Sequence, residues 1–307
     1  MNKFFLLLPF FAVISIFLSS CNNTPPNEKQ TILTGKIKVL VDESLAPIMR
    51  EQLDVFKHSY INSDIELVEL PEIKVVNALL SDTAEVAVLT RLLTEDELKF
   101  FETRGFKPRV VQFAVDAVAL IGNVSQGDTT ITVEEILQVM RGQADARFSL
   151  VFDNPNSGTL RYLKDLAGVD ALPETGVYAL NSQDEVIAYV HDHPSTIGVV
   201  GVNWMMQPDS TSTRLINRVR SLALKNLPGN PGDDDFYLPS QSNLALGVYA
   251  FSRPVYLINA EPRHGLGMGF AAFLSGDRGQ RIVLKSGLMP DSLPPREIIL
   301  RSGYRSN

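Results

Sequence analysis

Ser157, Gly158 and Thr159 stand where an apolar run, Ser-Leu-Val-Phe at 149–152, gives way first to Asp153, Asn154, Pro155 and Asn156, and then to leucines at 160, 163 and 166. That order reads as a strand, a polar turn and an amphipathic helix closed by Gly168. Ser157 is a good N-cap, Gly158 lets a ligand approach the backbone, and Thr159 adds a hydroxyl. The unpaired N–H groups of a helix's first turn carry the positive end of its dipole, so the chemistry on offer is oxyanion binding. A Ser or Thr in this place also serves as a plain cap, and the tripeptide alone does not separate the two uses. Two further strand ends carry similar groups. Ser44 stands between a first strand and a first helix, and Thr90 and Arg91 follow a third strand, where the guanidinium suits two-point contact with an oxyanion.

The elements that must position these residues alternate along the chain from Lys36. "KIKVLVD", "DIELVEL" and "EVAVLT" read as strands. "LAPIMREQLDVFKHSY", with Leu45, Ile48, Met49, Leu53 and Phe56 at helical spacing, "IKVVNALLSD" and "TEDELKFFETRG" read as helices. A long β-rich segment follows at "KPRVVQFAVDAVALIGN", then a helix capped at Thr132, the strand and helix around Ser157, a helix at "SQDEVIAYVHDHP" and a buried strand at "TIGVVGVNWM". "NLALGVYAFSRPVYLI" brings back β character, "GMGFAAFLSGDRGQRIVLKSG" is helical, and "REIILR" is a last short strand. Strands separated by helices imply parallel pairing in an open α/β sheet, where loops at the carboxyl ends of strands face one crevice.

Composition narrows the function classes. The chain has 307 residues, 45% of them hydrophobic, which is enough for two lobes of ordinary domain size. Its net charge is −7 and Lys and Arg form no cluster, so nucleic acid is not an expected partner. Lys3 followed by the apolar run Phe4 to Leu18 is too short for a spanning helix of about 20 residues and reads as an export signal. "LSSC" after it resembles the lipobox of bacterial lipoproteins, which marks Cys21, the only cysteine, for lipid attachment. "NNTPPNEKQT" then reads as a tether.

Other candidate chemistry is thin. His191 and His193 end a helix and have no third ligand near in sequence, so no metal site is expected. "HGLGMG" lacks dinucleotide spacing, "GDDD" reads as a solvated loop, and Trp204 and Met205 read as core. Four His and no Gly-x-Ser-x-Gly elbow disfavour a hydrolase, so neither catalytic residues nor a cofactor are expected.

Taken in order, the pieces resemble the phosphate-binding lipoproteins of ABC importers. The markers are the Ser44 loop before "APIM", "LTRLLTEDE", "VDAVALIGN", "NSGT", "STIGVVGV", "YAFSRPVYL" and "GQRIVLKSGLMP". The resemblance implies an α/β, two-lobed periplasmic-binding-protein fold (type II), each lobe an open, mostly parallel sheet flanked by helices. It places the signal peptide and lipobox at 1–21, the tether at 22–35, lobe 1 at 36–115, lobe 2 at 116–245, and the return of lobe 1 with a C-terminal tail at 246–307. By the same resemblance, inorganic phosphate or a related oxyanion is held between the lobes by Ser44, Thr90, Arg91, Asp153, Asn156, Ser157, Gly158 and Thr159. The implied protein is a monomer in the cell envelope, periplasm-facing and held to the membrane through Cys21, and its partners are ABC permease subunits.

The sequence departs from the family pattern at three places. Asp153 and Pro155 stand where the family carries Arg and Asp, and Glu72 stands in place of a Gly-Ser-Ser loop. Arg91 is then the expected source of charge compensation and Asp153 the expected acceptor of the proton on HPO4 2−. The alternative is a similar lipoprotein without an import role, serving adhesion or sensing or binding another anion.

Overall fold

The structure is a computed structural model that describes residues 30–143, 147–208 and 212–292. The export signal, Cys21, most of the tether and the last expected strand, "REIILR", lie outside the described residues.

The chain begins with β1 (Gly35–Asp42), α1 (Ala46–Ser59), β2 (Ser63–Leu70), α2 (Glu72–Leu80), β3 (Val86–Leu89) and α3 (Glu95–Glu102). Val39, Val41, Val86 and Val88 are wholly buried, as expected for parallel strands covered on both faces. The stripe of α1, Ile48, Met49, Leu53 and Phe56, is buried, and Pro47 sits in its first turn, where a missing N–H costs nothing. Thr94 and Glu97 form a capping box at the start of α3.

Next comes β4 (Arg109–Asn123), then β5 (Thr130–Thr132), α4 (Val133–Met140), β6 (Ser149–Phe152), α5 (Gly158–Ala167), β7 (Val177–Ala179), α6 (Gln183–Asp192), β8 (Thr196–Gly201) and α7 (Val202–Met206). β9 (Val219–Ser221), β10 (Ala223–Lys225), α8 (Gln241–Ala245), β11 (Ser252–Asn259), α9 (Leu266–Ser275), α10 (Asp277–Lys285) and β12 (Met289–Pro290) complete the described chain.

One ten-stranded sheet runs β2-β1-β3-β11-β4-β8-β6-β7, with β9 and β12 also pairing to β4. β1 is parallel to β2 and β3, and β6 is parallel to β7 and β8. β4 joins the two parallel halves: its residues 109–117 pair antiparallel with β11, and residues 118–121 pair antiparallel with β8. The molecule is therefore a mixed α/β structure of two lobes threaded by one long strand, and the carboxyl ends of β1, β3 and β6 converge where the lobes meet.

Three local expectations change. The strand at 196–201 stops at Gly201 and the chain turns into α7; the Ser44 carbonyl packs so close there that a side chain on residue 201 would lie 2.7 Å from it. The β-rich reading of 243–258 holds only from Ser252; Ser240 caps a short helix before it, and Gly247 has a φ of 69°. On α5, Leu160, Leu163 and Ala167 face the core while Leu166 is 43% exposed, because a helix returns to the same face at i+7 rather than i+6.

Candidate functional site at the meeting of the lobes

Lobe 1 contributes a turn and two strand ends. Asp42 closes β1, caps the 3-10 turn Glu43–Leu45, and accepts the Ser44 N–H at 3.1 Å. Ser44 is fully buried and its Oγ accepts from Arg253 Nη2 at 2.9 Å, which leaves the hydroxyl proton free to donate. Thr90, just past β3, lies 3.5 Å from Arg253 Nη1 and 3.4 Å from Glu72 Oε2. Arg253 reaches both because β11 runs antiparallel past the end of β3, with Tyr256 paired to Leu89.

Lobe 2 contributes the entrance of α5. Ser157 caps the helix by accepting the Leu160 N–H at 3.2 Å. Thr159 donates its hydroxyl to Asp153 Oδ1 at 2.7 Å, so the 2.9 Å contact between the Ser157 and Thr159 hydroxyls has Ser157 as donor. Gln183 donates to the other Asp153 oxygen at 2.5 Å and accepts the Gly201 N–H. Asp153 thus sits wholly buried and organises this loop from behind. The N–H groups of Gly158 and Thr159 have no intrahelical partner and belong to the positive end of the helix.

The two halves touch. The Ile73 N–H donates to the Asn156 carbonyl at 3.3 Å, and Arg161 of α5 donates to Glu72 at the start of α2. Asn203 donates to the Ser44 carbonyl at 2.9 Å and Trp204 Nε1 to the Glu43 carbonyl at 3.3 Å. A methyl group on Gly158 would fall 2.1 Å from Asp42 Oδ2 and 2.8 Å from Glu72 Oε2.

Charge is crowded here. Arg253 and Asp116 form a buried pair with contacts of 2.8 and 3.0 Å, on residues that the β11–β4 register places opposite each other. Asp42 Oδ2 and Asp116 Oδ1 are buried acceptors with no donor among the described residues. Burial pushes the Asp42 carboxyl up to about 7, with Arg253 opposing the shift and Glu72 and Asp153 adding to it. Burial likewise raises neighbouring Glu43 to about 7, reinforced by Asp153.

Of the residues singled out from sequence, Thr90 faces Gly158 across the lobe junction, Ser44 is tied to Thr90 through Arg253, and Ser157, Thr159 and Asp153 form the loop behind Gly158. Arg91 lies to one side, donating to Glu72 at 3.1 Å and to both Glu97 oxygens at 2.7 and 2.8 Å. Asn156 is exposed and reaches the other lobe only through its backbone. Sequence reasoning missed Arg253, Asp42, Asp116 and Arg161. A signal existed for one pair: Asp116 and Arg253 each interrupt an apolar β run with opposite charge, which is tolerable only if they find each other. Among the described residues no group of three His, Cys, Asp or Glu is placed to hold a metal ion.

Two outcomes are expected. Gly158→Ala should hold the lobes apart and speed hydrogen exchange at the Ile73 amide, whose acceptor is on the other lobe; unchanged protection would show that the cleft absorbs the methyl group. Because Asp42 binds its proton more tightly folded (about 7) than in its ordinary range (3.8), its contribution to stability is complete below about pH 4 and is lost as pH rises through 7. Urea denaturation of Asp42→Asn should therefore show a shallower loss of stability from pH 4 to 8 than the natural chain, with Glu43 supplying the remaining slope; equal slopes would remove Asp42 as the source.

Known proteins place this architecture. The phosphate-binding protein PstS of Pseudomonas aeruginosa is 25% identical over 292 residues, covering 87% of this chain and 86% of the relative. A phosphate ABC transporter substrate-binding protein of Clostridium perfringens, solved with bound phosphate, has the same fold with a TM-score of 0.68 at 18% identity, covering 84% of this chain and all of that one. An ABC-type phosphate transport receptor of Vibrio cholerae matches with a TM-score of 0.63 at 18% identity over 83% of this chain and all of its own. The family model described as the PBP superfamily domain matches residues 26–278, and the chain belongs to that superfamily.

Proposed function

We propose that this protein is an exported lipoprotein, anchored through Cys21, that captures inorganic phosphate between its lobes and delivers it to the permease subunits of an ABC importer. The observation that carries the reading is that Arg253 gathers the Ser44 and Thr90 hydroxyls, and that the Thr90 hydroxyl in turn faces the entrance of α5 at Gly158. A hydroxyl donor, a guanidinium and two first-turn N–H groups are the donors an oxyanion requires. The names of the relatives above supply the choice of phosphate and the transport role. The crossing of β4 from β11 to β8 between Ala117 and Val118 supports lobe boundaries near 115 and 246. Among the described residues no helix is long and apolar enough to cross a membrane. We take the working form to be a monomer.

The role expected of Asp153, accepting the proton of HPO4 2−, passes in this reading to Asp42. Both Asp153 oxygens are engaged inside lobe 2, whereas Asp42 Oδ2 has no donor and faces Gly158. Above about pH 7, where Asp42 is ionised, fully deprotonated sulfate would set acceptor against acceptor there. One observation favours the second reading, a lipoprotein of this fold without an import role: Asp42 and Glu72 crowd the cleft with negative charge.

Calorimetric titration of phosphate-stripped protein separates the two. Phosphate should bind, Ser44→Ala should weaken it about tenfold through the lost hydroxyl, and Asp42→Asn should narrow the preference over sulfate. No heat with phosphate, arsenate, sulfate or molybdate would sink the phosphate reading and leave the second. Labelled palmitate should enter the full-length chain in a bacterial host and fail to enter Cys21→Ser; equal labelling of the two would rule out the anchor.

A further inference from the structure

Glu72 is wholly buried at the first position of α2, and its two oxygens are contacted by donors from both lobes. From its own lobe come Arg91 Nε at 3.1 Å and the Thr90 hydroxyl at 3.4 Å. From the other come Arg161 Nε at 2.5 Å and Nη2 at 3.1 Å, while Gly158, at the positive end of α5, packs against Oε2. Two guanidinium groups, a hydroxyl and a helix N-terminus are the surroundings an oxyanion would seek, and here a carboxylate of the chain already takes them. The neighbouring carboxyl of Asp42 makes no such use of its free oxygen, so simple crowding of acids does not account for the arrangement.

We propose that Glu72 is a built-in anion: its carboxylate fills the oxyanion cradle of the cleft, clamps the lobes together without ligand, and must be displaced before a free oxyanion is held. The clamp stands on the geometry alone, whereas displacement by phosphate rests on the function proposed above. An incoming dianion gains Arg91 and Arg161 only when Glu72 gives them up, and until then it meets a like charge at hydrogen-bonding range. Glu72 therefore sets affinity and couples lobe closure to exchange of one anion for another. Arg161 is the half of the cradle that crosses the cleft, since its other carboxylate partner, Asp165 at 2.7 Å, is on its own helix.

The test combines small-angle X-ray scattering of phosphate-stripped protein with calorimetric titration of phosphate, on the natural chain, Glu72→Gln and Arg161→Met. Arg161→Met removes the cross-cleft partner, together with its exposed pair to Asp165 on the same helix, and leaves Glu72 paired with Arg91, which covers the case that Glu72→Gln folds poorly. The natural chain is expected to scatter as a closed molecule without ligand, both variants are expected to show a larger radius of gyration, and Glu72→Gln is expected to bind phosphate about tenfold tighter or more. A radius of gyration unchanged in both variants overturns the proposal. So does unchanged or weaker phosphate binding by Glu72→Gln where the natural chain binds phosphate. If both variants expand and no protein binds phosphate, the clamp stands and the phosphate reading falls.

Discussion

The buried pair of Arg253 and Asp116 ties together everything at the lobe junction. It joins the two central antiparallel strands, β11 and β4, at 1% and 0% exposure of the two side chains. Taking two charges out of water is costly, and a buried pair is stabilising only relative to its own broken halves, where loss of one partner costs about 3–5 kcal/mol. Apolar residues would serve the sheet at least as well. What the pair adds is a guanidinium fixed at the end of β3, with one edge on Asp116 and the other on Ser44 and Thr90. The positive charge is held there with almost no freedom to relax, so the groups around it are arranged before any ligand arrives.

Around that cation the molecule balances several acids. Asp42 caps the turn that carries Ser44, Asp153 braces the loop that carries Gly158, and Glu72 bridges the lobes. Each is tolerable for a different physical reason. Asp153 is satisfied by a hydroxyl and an amide, Glu72 by two guanidinium groups, and Asp42 by holding its proton to a pH well above the ordinary carboxylate range. The cleft's electrostatic character is consequently set by pairing and protonation rather than by a count of charged side chains. In the proposed function, this is also what lets an anion approach a site whose formal balance is acidic.

In the proposed function, closure would act through the sheet's topology. β4 pairs with both halves of the sheet, so a relative rotation of the lobes would be absorbed near the point where its partner changes from β11 to β8. Contacts such as the Ile73 N–H to the Asn156 carbonyl and the Asn203 side-chain amide to the Ser44 carbonyl are polar links to backbone groups across the lobe junction. In the proposed function, links of that kind would break and reform as the cleft opens.

How much of this was legible beforehand depended on the range of the interaction involved. Strands, helices and the caps at Thr94, Thr132 and Ser157 follow from periodicity and from contacts within a few residues, and they stand where the sequence puts them. The two-lobed arrangement was legible through the family resemblance that the order of those segments carried. Where a local pattern met a distant backbone it failed: the strand ends at Gly201, where the Ser44 carbonyl leaves no room for a side chain, an approach of residues 157 apart in the chain that no window reveals. The candidate site divides along the same line. Its hydroxyls and its helix entrance were visible as residue types at strand ends, because that chemistry is local. The roles of Asp42, Glu72, Arg161 and Arg253 were decided only by tertiary structure, since a charge acquires its function from the partner it meets and from the water it loses, and both are fixed by packing between lobes.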